Sequence, residues 1–169
     1  MAVYYYLAVA CSNQEAAIAV STHFDTIVLS LHDGPAISCY ASASQDWAKA
    51  WWSIVRPLGA SINAFGPDGQ PEPNLTNRAQ RSEIGQLLYQ RLLSAPPFLY
   101  ALYGAEAQDQ FFDVHSTYNR VLRDPTLIQD GWEGLVLNAA LWEQIGSPAS
   151  YETYRPGYVW KPYRGEYNW

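Results

Sequence analysis

Runs of apolar residues along the chain predict several strands. Residues 2–11 are apolar at nearly every position, which indicates a strand buried on both faces near the centre of a sheet. Residues 98–103 have the same two-faced pattern and predict a second such strand. A short apolar run at 134–137 predicts a third strand, and Asn138 after it is expected to cap a brief helix over 139–145.

A hairpin is predicted around the Asp33-Gly34 pair. The apolar runs 26–32 and 35–42 flank these two residues, which are typical of a two-residue type I′ turn. Such a turn would place residue 28 opposite Cys39. Proline lacks an amide donor, so Pro35 indicates that this end of the hairpin lies near a sheet edge.

Apolar residues at helical spacing predict two main helices. The first would begin after Ser44, with Asp46 in its first turn, and would end before Pro57. The second would begin at Thr76 or Asn77 and reach about residue 94. Two stripes carry these predictions. They are Trp47, Ala48, Trp51, Ile54 and Val55 in the first helix, and Ile84, Leu87, Leu88 and Leu92 in the second. Residues 16–20 fit either a helix or a strand.

Strands and helices are interspersed along the chain, and the hairpin indicates antiparallel pairing. We therefore predict an α+β fold: a mainly antiparallel, or mixed, sheet with two main helices packed on it and an aromatic C-terminal strand or arm. The chain length suits one domain, which we assign to residues 1–150. Residues 151–169 are predicted to form an arm that packs on this domain or on a partner.

The C-terminal segment is unusually rich in aromatic residues. Proline and glycine at positions 156, 157, 162 and 165 exclude a continuous helix, and an edge strand over 158–163 is expected. Tyrosine, tryptophan and arginine dominate the energetic hot spots of protein interfaces. The residues predicted to bind a partner are Tyr154, Arg155, Tyr158, Trp160, Tyr163, Arg164 and Trp169. The alternative is that the segment closes the domain's own sheet, and the two roles can coexist.

The charge balance narrows the class of partner. Sixteen acidic residues against ten basic ones give a net charge of −6, which argues against binding to nucleic acid or to an anionic membrane. A basic protein partner is compatible with this charge. The chain lacks a signal-peptide pattern and a membrane-length apolar run, and Cys11 and Cys39 lie in apolar segments that suit a reducing compartment. The expected location is therefore the cytoplasm.

Candidate catalytic groups are few. His32 and Cys39 share one predicted hairpin but would lie about 13 Å apart along the strands, beyond hydrogen-bond reach. The chain has none of the common phosphate-binding, hydrolase or zinc-protease motifs. The acidic residues considered for a cation site or for acid–base chemistry are Glu106, Asp109, Asp113, Asp130 and Glu133. A solvated surface is the commoner setting for such residues, so we predict no metal, no cofactor and no catalytic residue.

These features favour a non-catalytic protein-binding module. One specific form is an immunity-type inhibitor, of bacterial or phage origin, that covers the active cleft of a basic toxin or nuclease. One alternative is a structural subunit of a larger assembly such as a phage particle. A second alternative is a small hydrolase or transferase with its site between segments 57–75 and 106–115. The sequence predicts no particular oligomeric state.

Overall fold

One antiparallel sheet organises the described part of the chain, with helices on both of its faces. The computed structural model describes residues 2–46, 49–63, 65, 68–71, 74, 76–105, 107 and 133–166. The strands are β1 (Tyr5–Cys11), β2 (Val28–Ser30), β3 (Ala36–Gln45), β4 (Trp51–Pro57), β5 (Tyr100–Ala105), β6 (Val136–Asn138), β7 (Glu152–Arg155) and β8 (Tyr158–Trp160). The helices are α1 (Gln14–Phe24), α2 (Arg78–Leu92) and α3 (Ala139–Gln144).

The strand order confirms the predicted α+β class with an antiparallel sheet. The order across the sheet is β2-β3-β4-β1-β5-β6-β8-β7. Strand β1 is central, as its two apolar faces predicted: Leu7 and Val9 face the core under α1 and α2, and Ala8 and Ala10 face the second core beside α3. Among the described residues, no helix combines the length and apolarity that crossing a membrane would require.

The predicted hairpin exists, but its turn type and register were wrong. Leu29 pairs with Ile37, so the loop comprises residues 31–35, and neither Asp33 nor Gly34 has the positive φ of a type I′ turn. Contacts with α2 explain the difference. The Gln80 side chain donates to the Asp33 carbonyl, and the backbone N–H of His32 donates to Glu83 Oε1 at 2.7 Å. These anchors on α2 outweigh the local preference of the Asp-Gly pair.

The predicted helix between Ser44 and Pro57 was also wrong. Strand β3 continues to Gln45 and strand β4 begins at Trp51, so this stretch is a second hairpin. Asp46 stabilises the connection rather than a helix N-terminus. Its carboxylate accepts hydrogen bonds from the Ala50 backbone at 2.8 Å and from the Trp52 indole at 2.9 Å. Trp47 and Ala48, which belonged to the predicted helix, lie outside the described residues.

Each described helix begins after an asparagine that caps its N-terminus. Residues 16–20, whose sequence fits either a helix or a strand, belong to helix α1. The Asn13 side chain caps this helix by accepting from Ala16 N–H at 2.9 Å. The prediction for α2 is confirmed. Asn77 and Gln80 form a reciprocal capping box at its start, and the apolar side chains that it buries most completely are Ile84, Leu88 and Leu92.

Candidate functional site

The C-terminal segment is part of the sheet as far as Trp160. Strand β8 pairs with β6 on one side and with β7 on the other, so the predicted edge strand over 158–163 was wrong in its position and its length. The edge strand on this side is β7, because the chain reverses at Gly157, whose φ of +79° suits a tight turn. The reversal brings both strands alongside α2.

Arg155 ties this segment to the end of α2. Its Nη1 donates to the carbonyls of Leu92, Leu93 and Ala95 at 3.1, 3.1 and 2.7 Å. The guanidinium carbon also lies 4.2 Å from the centre of the Tyr158 ring and 5.0 Å from that of Phe98. A cation at a helix C-terminus satisfies carbonyls that have no partner within the helix and interacts favourably with the helix dipole. Arg155, predicted to bind a partner, therefore also stabilises the fold.

Tyr158 has a similar structural role. Its hydroxyl accepts from the Phe98 N–H and donates to the Phe98 carbonyl, each at 2.9 Å. The Phe98 and Tyr158 rings are in contact, with their centres 4.5 Å apart and their planes inclined at 36°. The Tyr158 hydroxyl therefore has little hydrogen-bonding capacity left for a partner.

Tyr163 and Glu166 continue the contact along the first half of α2. The Tyr163 hydroxyl donates to Glu166 Oε1 at 2.8 Å, and the Glu166 backbone N–H donates to Ser82 Oγ at 2.9 Å. Burial raises the pKa of Glu166, while the Tyr163 hydrogen bond and nearby arginines, Arg81 and Arg78, lower it. The carboxylate is thus held within the fold rather than presented at the surface.

Between α2 and strands β7 and β8 lies an open groove of about 320 Å³, which we call the aromatic groove. Its lining includes three of the predicted partner-binding residues, Tyr154, Trp160 and Tyr163. The ring centres of Tyr154 and Trp160 are 5.1 Å apart, and the buried Tyr89 ring lies 5.6 Å from Trp160 and 5.2 Å from Tyr163. The remaining lining residues are Gln86, Gln90, Leu93 and Thr153.

The polar groups of the aromatic groove are neutral, and several are unused. The Tyr154 hydroxyl donates to the Tyr89 carbonyl. By contrast, the side chains of Gln86 and Gln90 and the Trp160 indole N–H make no hydrogen bond within the part of the chain that the structure describes. Gln86 and Gln90 are exposed and lie one helical turn apart. The groove therefore combines aromatic faces with free hydrogen-bond donors.

The other predicted site residues do not join this groove. Arg164 is exposed and Glu133 is half-buried, and neither lines it. The predictions for Trp169 and for the acidic residues Glu106, Asp109, Asp113 and Asp130 lie outside the described residues, as does segment 106–115 of the alternative hydrolase site apart from Ala107. Within the described ranges, no three His, Cys, Asp or Glu side chains converge as metal ligands would.

Sequence reasoning missed the α2 side of the groove. Gln86 and Gln90 have the pattern of an ordinary solvated helix face, and no local signal connects them with the C-terminal aromatic residues. The contact between the two elements joins Tyr154 to Tyr89, 65 positions apart in the chain.

The two cysteines provide a test of the core. Cys11 and Cys39 are free and buried, and burial raises the pKa of each thiol to about 12. We expect neither thiol to react with dithionitrobenzoate at pH 8 in the folded protein and both to react in guanidinium chloride. Rapid modification of either thiol without denaturant would show that this core opens more readily than its packing implies.

The fold and the groove define a class: an α+β protein with one antiparallel sheet and an open aromatic groove beside its longest described helix. Comparison of the chain with protein-family models, with curated proteins and with solved structures gave no match.

Proposed function

We propose that the protein is a non-catalytic protein-binding module and that the aromatic groove is its interface. The groove itself carries the proposal. Tyr154, Trp160 and Tyr163 are each only partly buried, and they stand beside polar groups without partners among the described residues. Large rings and free donors of this kind contribute most to binding when a partner covers them.

The way the groove is built supports the proposal. Arg155 fastens β7 to the end of α2, and the Tyr154 hydroxyl bonds to the Tyr89 carbonyl, so the groove walls are held before a partner arrives. A preformed surface loses less conformational entropy on binding than a mobile one. Closing the fold and contacting a partner, the two roles considered for the C-terminal segment, are compatible in this arrangement.

An inhibitor of a basic toxin or nuclease is the specific form of this function that the net charge of −6 favours. The charge would act by long-range steering, since the groove lining itself is uncharged. The association rate with such a toxin should then fall steeply as salt concentration rises. Two buried thiols support a reducing compartment, and we propose the cytoplasm of the producing cell as the location.

Site-specific photo-cross-linking in the producing cell tests the interface. A benzophenone side chain at Thr153, in the groove, is expected to give a discrete adduct with one protein, with the products of neighbouring genes as first candidates. The same group at Ser12, which is exposed and outside the groove, is the control. The adduct should fall severalfold when Gln86→Ala and Gln90→Ala are combined.

Equal adducts from the two positions, or an adduct at Thr153 that the double substitution leaves unchanged, would refute the groove as the interface. Size-exclusion chromatography over a range of concentrations distinguishes this module from the main alternative, a structural subunit of a larger assembly. Self-assembly that grows with concentration would favour a structural subunit over a module that binds a different protein.

A further inference from the structure

The lining of the aromatic groove is uncharged although the protein carries a net charge of −6. Two charged side chains beside the lining are engaged within the fold. The Arg155 guanidinium bonds to the carbonyls at the end of α2, and Glu166 accepts from the Tyr163 hydroxyl. A charged ligand would lose hydration in this groove without gaining an opposite charge. The chemistry of the lining therefore favours an uncharged occupant.

Hydrogen-bond donors without partners among the described residues line the groove. The Trp160 indole N–H can only donate, and the Gln86 and Gln90 amides can each donate from one wall. None of these three groups has a hydrogen-bond partner among the described residues. The Trp160 N–H therefore requires an acceptor such as a carbonyl oxygen, and the two amides can donate to carbonyl oxygens of the same segment. Proline has no N–H, and a polyproline II helix leaves its carbonyls unpaired.

The rings pack against one another at an angle and form an uneven aromatic surface rather than one flat platform. The Tyr154 and Trp160 rings are inclined at 48°, and the Tyr89 and Trp160 rings at 63°. The compact, puckered ring of proline can pack on the exposed faces of such rings, and grooves lined with aromatic side chains are a recurring receptor for proline-rich segments.

The competing mode of peptide binding, addition of a strand to the sheet, is disfavoured at this edge. Strand β7 has only four residues, its register is interrupted between Thr153 and Arg155, and Pro156 follows it directly. Short length, a bulge and a flanking proline are features that protect sheet edges from pairing. A polyproline II segment needs no such backbone ladder, because side chains supply its hydrogen bonds.

We infer that the aromatic groove recognises an uncharged, proline-rich segment of the partner in the polyproline II conformation, an inference that rests on the proposed function. Fluorescence polarisation with the full chain and a fluorescein-labelled decaproline peptide tests it. We expect saturable binding that weakens about fivefold in Trp160→Phe, which keeps a ring but removes the indole N–H. The combined Gln86→Ala and Gln90→Ala variant should lose at least as much.

Gln144→Ala is the matched control, because this glutamine is also exposed near the end of a helix but lies on α3, away from the groove. It should bind decaproline like the unmodified protein. A labelled glycine-serine decapeptide should not bind, and unlabelled maltohexaose should not compete. Equal binding of the two peptides, or unchanged binding by both groove variants, would overturn the inference.

Displacement of decaproline by maltohexaose, or binding of the sugar alone, would also overturn it in favour of a carbohydrate. The proposed function and the proline-rich ligand can be refuted independently. A Thr153 adduct that depends on Gln86 and Gln90, found together with no affinity for decaproline, would refute the proline-rich ligand and leave the protein-binding interface standing.

Discussion

Gly85→Ala is expected to lower the free energy of unfolding by about 2 kcal/mol, although alanine is the better helix former by about 1 kcal/mol. A Cβ at this position of α2 would lie 2.6 Å from Tyr103 Cδ1 and 2.7 Å from Tyr163 Cε1. The Tyr103 ring cannot move away easily, because it is buried and its hydroxyl donates to the Arg81 carbonyl at 3.1 Å. The cost of overpacking should therefore exceed the gain in helix propensity.

Urea unfolding followed by circular dichroism measures this effect. Gly104→Ala is the matched control, since a Cβ there would meet nothing within 4 Å and its φ does not require glycine. That variant should be neutral or slightly stabilising, because alanine reduces the entropy of the unfolded chain. A stabilised Gly85→Ala protein would mean that the aromatic layer under α2 yields more easily than its packing indicates.

The parts of the fold that the sequence predicted correctly have strong local signals that tertiary contacts reinforce. Strand β1 is apolar on both faces and lies at the centre of the sheet, where both faces are buried. Helix α2 has a capping box at Asn77 and an apolar stripe that ends before two prolines. In each case propensity, pattern and burial point to the same structure.

The two elements that were predicted wrongly, the helix before Pro57 and the type I′ turn, have sequence signals that fit more than one structure. Trp51 and Val55 are spaced as on one helix face, yet in β4 they lie toward one core while Trp52 and Ile54 fill the other. Pairing with β1 and β3 selects the alternating pattern of a strand over the spacing of a helix. The local sequence pattern does not contain this pairing. The Asp33-Gly34 turn likewise depends on its anchors in α2, which are distant in sequence.

Three of the eight residues that line the aromatic groove could be predicted. The density of rings in the C-terminal segment indicated that Tyr154, Trp160 and Tyr163 must be buried or contact a partner, and all three line the groove. The wall formed by α2 could not be predicted, because Gln86 and Gln90 line a groove only when the sheet places β7 and β8 beside α2. That placement depends on a strand order that composition does not encode.

Arg155→Ala is expected to lower the free energy of unfolding by about 3 kcal/mol. The substitution removes charged hydrogen bonds to three carbonyls at the end of α2, together worth about 2 kcal/mol. It also removes the stacking of the guanidinium on Tyr158 and Phe98, worth about 1 kcal/mol. Urea unfolding measures the loss, and the groove should weaken with it, because Arg155 fastens β7 to α2.

Arg155→Lys separates charge from shape. Lysine keeps the cation near the helix C-terminus but cannot stack as a plane or reach the same carbonyls in a fixed geometry, so it should recover less than half of the loss. Arg164→Ala removes an equal charge from an exposed position in the same C-terminal segment and should change stability by less than about 0.5 kcal/mol. If Arg155→Lys were as stable as the unmodified protein, helix-dipole electrostatics alone would account for the cap. If Arg164→Ala were as damaging as Arg155→Ala, the effect would come from the overall charge of the segment rather than from the cap.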